Sequence, residues 1–109
     1  MDKKHNWIKI ADNPDEIVFS ENNIARIHIE EKVICILQTP GGLKACASTC
    51  PHAGSDLSCG YLDNRENIVC PVHGYRFNIN NGRDSNKEGY FLKIYPIKIS
   101  EDGIFVTLE

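Results

Sequence analysis

No stretch of this chain approaches the roughly 20 consecutive apolar residues of a membrane-spanning helix, so no span is expected. It also has no basic run long enough to track a phosphate backbone. Asp+Glu number 15 against Lys+Arg 12, for a formal charge of -3, and nucleic acid is not the expected partner. A glycine-rich dinucleotide fingerprint is missing, so no dinucleotide cofactor site is expected within the chain. Sustained helical periodicity is missing too, which argues against a helical bundle. The first residues, Met1-Asp2-Lys3-Lys4-His5-Asn6-Trp7, hold two lysines with no apolar run behind them, so a signal peptide is not expected. The reading is a cytoplasmic protein, in which disulfides are not expected. Five cysteines are an odd number and cannot all pair within the chain. Part of that set needs another role, and metal is the first candidate.

What the sequence does contain is 109 residues, 41% hydrophobic and 25% charged, which fits one folded globular domain spanning 1–109. Short apolar segments recur between turn signals, the pattern of a small all-β sandwich or barrel. A strand is expected to begin at Trp7-Ile8-Lys9-Ile10. Asn13-Pro14 predicts a single helical turn, with Asn13 as cap. Ile24 to Ile29 and Val33 to Thr39 read as strands around a Glu30-Glu31 turn. Pro40-Gly41-Gly42 then turns the chain so that Leu43 to Ala47 pairs back. Leu92 and Ile94 share one parity and Ile97 and Ile99 the other, which predicts a bulge or edge at Pro96. Ile104, Val106 and Leu108 alternate as a last strand after Asp102-Gly103.

Between Ser48 and about Asn81 the texture changes to small, polar, Cys, His, Pro and Gly residues with few apolar anchors. Burial alone would hold such a segment poorly, and a bound metal centre is expected to order it. Within it stand Cys50-Pro51-His52-Ala53-Gly54 and Cys70-Pro71-Val72-His73-Gly74. Each arm offers one thiolate and one imidazole. Two Cys and two His would suit tetrahedral zinc, but zinc fingers place both Cys on one arm and both His on the other. Mixed arms suit a binuclear cluster, in which one iron takes both thiolates and the other both imidazoles. Gly54 and Gly74 are expected to let the backbone approach closely, with amide N–H groups pointing at sulfur.

These two motifs resemble those of the Rieske ferredoxins, small electron carriers of bacterial ring-hydroxylating oxygenase systems. The resemblance extends to Gly60-Tyr61-Leu62 between the arms, and to Arg76-Phe77 and Gly82 after the second. It implies a Rieske fold with a two-loop cluster-binding subdomain at about 48–81. It also implies a [2Fe–2S] cluster on Cys50, His52, Cys70 and His73, and one-electron transfer from a flavin-containing reductase to a terminal oxygenase. No catalytic residue is expected. The Rieske proteins of respiratory complexes resemble this pattern but carry an extra disulfide between the loops, and the matching positions here are Ser55 and Val72. Those proteins also place Ser and Tyr hydroxyls where this chain has Tyr75 and Phe77. Fewer donors to the cluster imply a potential toward the low end of the Rieske range of roughly −150 to +300 mV.

The outer nitrogens of His52 and His73 are expected to face solvent, with Leu57, Pro71 and Val72 as an apolar rim. Cys35 and Cys46 are expected in the core and Cys59 in a structural or incidental place. His28 is expected on the surface and His5 mobile near the terminus. Tyr61 and Trp7 are expected to pack, and Asp15-Glu16 and Glu30-Glu31 to be solvated. Two competing functions are a small subunit of a nitrite-reductase-like enzyme and a structural zinc module mediating protein contacts.

Overall fold

The run from Ile34 to Leu37 is apolar at four consecutive positions, and all four side chains are fully buried. A strand can bury both parities only when it is covered on both faces, and in the computed structural model it is. The structure describes residues 6–108; His5 lies outside them. Among the described residues, ten strands form three antiparallel sheets. They are β1 (Ile8–Ala11), β2 (Ile24–Ile29), β3 (Lys32–Thr39), β4 (Gly42–Ala47), β5 (Tyr61–Leu62), β6 (Asn67–Val69), β7 (Arg76–Asn78), β8 (Ile94–Tyr95), β9 (Ile97–Ser100) and β10 (Gly103–Val106). The four-stranded sheet runs β2-β3-β4-β8, the β5-β6-β7 sheet is inserted in the chain between its last two strands, and β1, β9 and β10 at the two ends form the β1-β10-β9 sheet. The architecture is all-β, as expected.

The two faces of the four-stranded sheet build two cores. Cys35 and Leu37 of β3 join Cys46 of β4, Ile24 of β2, Leu57, Ile68, Phe77, Ile79 and Leu92 in one. Ile34 and Ile36 join Ala25, Ala45, Tyr95 and Val106 in the other. Period-two alternation thus splits one continuous apolar run between two layers. Each fully buried Ile, Leu or Phe contributes about 1.5–3 kcal/mol of burial free energy. The register follows from the hairpins: Ile29 faces Lys32 across Glu30-Glu31, and Thr39 faces Gly42 across Pro40-Gly41. The expected helical turn is a short 3₁₀ segment, Pro14–Glu16, with the Asn13 side chain accepting from the Asp15 amide.

Two expectations are corrected and one is resolved. Of the bulge or edge expected at Pro96, the structure shows the edge: β8 before it is an outer strand paired with β4, and β9 after it is an outer strand of another sheet paired with β10, so the parity changes where the chain leaves one sheet for the other. The irregularity in register lies instead in β1, between Lys9 and Ala11. The segment 48–81 is also better anchored than its composition suggests. Leu57, Ile68, Val69, Phe77 and Ile79 are all buried, and β5-β6-β7 form a sheet of their own. Tyr61, expected to pack, is 49% exposed. Trp7 does pack, with the Lys98 ammonium over its ring. Among the described residues, no helix is long and apolar enough to cross a membrane.

Candidate metal centre

Two turns of the same design carry the two motifs. In the first, the Cys50 amide donates to the Ser55 carbonyl at 2.9 Å and the Gly54 amide to the Cys50 carbonyl at 2.8 Å. In the second, the Cys70 amide donates to the Tyr75 carbonyl at 2.8 Å and the Gly74 amide to the Cys70 carbonyl at 3.0 Å. Each turn closes through a glycine in the left-handed region, Gly54 at φ 72° and Gly74 at φ 70°. That conformation, rather than close approach, is what requires glycine here. The two glycine amides close the turns, and the amides that point at sulfur, as expected of the arms, are those of their neighbours. The Ala53 amide lies 3.4 Å from Cys50 Sγ.

The segment between the arms is stitched to the four-stranded sheet. The Asn22 side-chain amide donates to the carbonyls of Ser58 and Gly60, both at 2.9 Å. Asp56 caps the 3₁₀ segment Leu57–Cys59 by accepting from the Ser58 amide, and it faces Arg26 Nε of β2 at 3.3 Å. Leu57 is fully buried beneath the arms, so it is core and not rim. Pro71 and Val72 are exposed at the tip, as expected of a rim. Cys35 and Cys46 are fully buried cross-strand partners, while Cys59 and His28 are exposed.

The structure brings Cys50, His52, Cys70 and His73 together as two pairs. Both cysteines are buried at the base, and their thiols face each other closely enough to interact. The two imidazoles meet edge to face at 5.1 Å between centroids. Among the described residues, no three Cys, His, Asp or Glu side chains converge on a single-ion site. Paired sulfurs and paired imidazoles are what a two-iron cluster takes.

The electrostatics fit such a group. Burial pushes the Cys50 thiol up. Burial acts the same way on Cys70, but the Ser55 hydroxyl 3.1 Å from its sulfur, together with the amides of Val72 and His73, brings that thiol below its usual range. His52 Nδ1 is buried and has no hydrogen-bond partner, one of two such side-chain atoms among the described residues. A buried polar atom left without a partner is costly, and a metal bond would satisfy it.

Sequence reasoning missed the surroundings of His52. Its ring does not simply face solvent: it is half-buried, stacked on Tyr75 at 3.8 Å with 10° between planes. The Tyr75 hydroxyl donates to Glu88 Oε1 at 2.7 Å, which pushes its pKa up to about 12 and keeps it protonated. An aromatic residue two positions after His73 was the available signal. Ser55 was read only as a missing cysteine, and its hydroxyl turns out to serve Cys70 Sγ. His73, by contrast, is exposed as expected.

Comparison with known proteins bears on this geometry. A family described as the Rieske [2Fe-2S] domain matches residues 6–93. The chain is 29% identical over 108 residues to the ferredoxin component of the naphthalene 1,2-dioxygenase/salicylate 5-hydroxylase systems of a Ralstonia species, covering 95% of this chain and 97% of that one. It is 30% identical over 105 residues to the ferredoxin component of the 2,4-dinitrotoluene dioxygenase system of Burkholderia sp. (strain RASC), at 95% and 97% coverage. In fold it is similar to the ferredoxin of carbazole 1,9a-dioxygenase from Nocardioides aromaticivorans IC177. That match has a TM-score of 0.79, 17% identity, and 94% and 98% coverage. Two matched turns presenting paired sulfurs and paired imidazoles, within a domain that this family covers from residue 6 to residue 93, make the chain a member of the Rieske [2Fe–2S] family.

Proposed function

We propose that Cys50, His52, Cys70 and His73 ligate the cluster, and that the chain is an electron carrier between a flavin-containing reductase and a terminal oxygenase. The observation that carries this reading is the pairing at the arms: buried thiols facing each other, and two imidazoles of which one holds a buried, unpartnered Nδ1. Likeness to ferredoxin components over nearly the whole of both chains supports the choice of partners. When bound, a Rieske cluster supplies one-electron redox chemistry. The residues do the rest. Cys50 and Cys70 hold sulfur in the buried base, amides of the arms and the Ser55 hydroxyl stabilise negative charge on it, and exposed His73 with Pro71 and Val72 offers a partner a short path. On this reading residues 1–109 act as one Rieske domain, with about 48–81 as its cluster-binding part, in the cytoplasm, and the chain does not turn over substrate alone.

The test is direct. The purified protein is expected to be red-brown and to give a Rieske-type EPR signal on reduction, with reduction by a flavoprotein reductase and reoxidation by an oxygenase component. A colourless, EPR-silent protein carrying zinc refutes it. The potential is expected toward the low end of the Rieske range, because Phe77 has no hydroxyl and that of Tyr75 is directed to Glu88. Among the described residues, Ser55 carries the one side-chain hydroxyl shown at a proposed ligand sulfur. Ser55→Ala is therefore expected to weaken electron uptake about tenfold, a fall of about 59 mV for one electron, read by redox titration. An unchanged midpoint would remove Ser55 from the account.

A further inference from the structure

The two candidate ligand histidines sit in unequal surroundings. His73 is exposed, whereas the His52 imidazole is enclosed by two aromatic rings. Tyr75 lies flat against it at 3.8 Å, and Tyr90 meets it edge-on at 5.0 Å and 80°. The two tyrosines also meet each other edge to face at 5.8 Å.

Neither tyrosine ring is loose. The Tyr75 hydroxyl donates to Glu88 Oε1 at 2.7 Å. Glu88 and Tyr90 belong to the turn after β7, and their backbone amides both donate to the Asp84 carboxylate, at 3.0 Å and 2.8 Å. Asp84 is 6% exposed and bridges by its backbone to Phe77 in the core under the arms. A continuous chain of contacts therefore runs from the core through Asp84 and Glu88 to Tyr75, and from Tyr75 to His52. A histidine on a short turn has a broad second torsion, and the nitrogen lone pair that binds metal lies in the ring plane. What fixes the plane fixes the direction of that lone pair.

We propose that Tyr75 is a positioning residue for His52, stacked on the imidazole and braced through its hydroxyl by Glu88, so that Nδ1 is held in one direction toward the cluster. This rests on the ligand role of His52 proposed above. The stack sets the ring plane, and the hydroxyl tether ties that plane to the Asp84 turn. A residue that merely filled space would change stability and leave the ligand field alone.

The test uses the cluster-loaded protein, with nitrogen hyperfine couplings from pulsed EPR, the one-electron equilibrium, and amide exchange over residues 84–90. Tyr75→Leu is expected to alter one of the two histidine nitrogen couplings while sparing the other, and to shift the equilibrium threefold or more. Tyr75→Phe, which keeps the stack but loses the tether, is expected to restore the mean coupling with a broader spread and to speed exchange of the 84–90 amides severalfold. Both couplings unchanged in Tyr75→Leu, with an equilibrium within twofold of wild type, would overturn the clamp while leaving the ligand assignment standing. If Tyr75→Leu does not hold the cluster, Glu88→Ala decides. It is expected to broaden the spread of one histidine coupling, and an unchanged linewidth overturns the proposal. Wild-type protein with no histidine nitrogen coupling overturns ligand assignment and clamp together.

Discussion

Replacing Cys70 by alanine is expected to abolish cluster binding, with iron falling to background and the visible absorption disappearing. Cys70 is the better prepared of the two arm thiols. The Ser55 hydroxyl and two backbone amides favour its thiolate, and metal binds the thiolate form. Alanine removes the sulfur, and no other group beside Cys50 can take its place: Cys35 and Cys46 are cross-strand partners within the four-stranded sheet, and Cys59 is exposed outside both arms. The fold beneath the arms does not depend on this sulfur alone. Leu57, Ile68 and Phe77 remain buried there, so the purified variant is expected to keep its β-rich circular dichroism while losing colour. Cys50→Ala should behave alike, whereas Cys59→Ala should retain full iron. Retained iron in Cys70→Ala would remove the second arm from the site.

The contrast between the arms and their surroundings shows what local sequence can carry. Each arm is a five-residue unit closed by its own backbone hydrogen bonds and its own left-handed glycine. All that defines it is adjacent in the chain, and it was legible. The β2-β3-β4 meander was legible for the same reason, since two-residue turns fix its register. Bulge and edge stayed open at Pro96 because a parity change looks the same whether a strand bulges or ends at the edge of one sheet and passes to another. Leu57 was misread because its burial depends on Ile68 and Phe77, which lie beyond the next turn. The brace on His52 joins residues 52, 75, 84, 88 and 90. Apart from an aromatic residue near the second arm, no spacing within either motif signals it, because the packing that assembles it is tertiary.

Gly82→Ala is expected to cost about 3 kcal/mol of stability, enough to lower the melting temperature by roughly 10 °C in a chain of this size. Two separate effects add. Gly82 sits at φ 79°, where a side chain costs about 1–2 kcal/mol. In addition, a Cβ there would fall within the van der Waals shell of the Leu92 carbonyl oxygen. That neighbour is backbone and cannot swing aside, so overpacking adds about 1–3 kcal/mol. The two segments must part to admit the methyl, yet the Leu92 amide donates to the Gly82 carbonyl at 2.8 Å, and Leu92 is buried in the core shared with both arms. The damage should therefore reach the metal centre, and cluster loss on heating should begin earlier than in wild type. Gly74→Ala separates the two effects, because φ is 70° there but, among the described residues beyond its two chain neighbours, no atom lies within 4 Å of the added carbon. It should cost only the conformational part. Gly41→Ala, with no positive φ and only Thr39 Oγ1 nearby at 3.8 Å, should be close to neutral. Thermal unfolding of the three variants checks the order, and a Gly82→Ala protein as stable as Gly41→Ala would refute the close approach of residues 82 and 92.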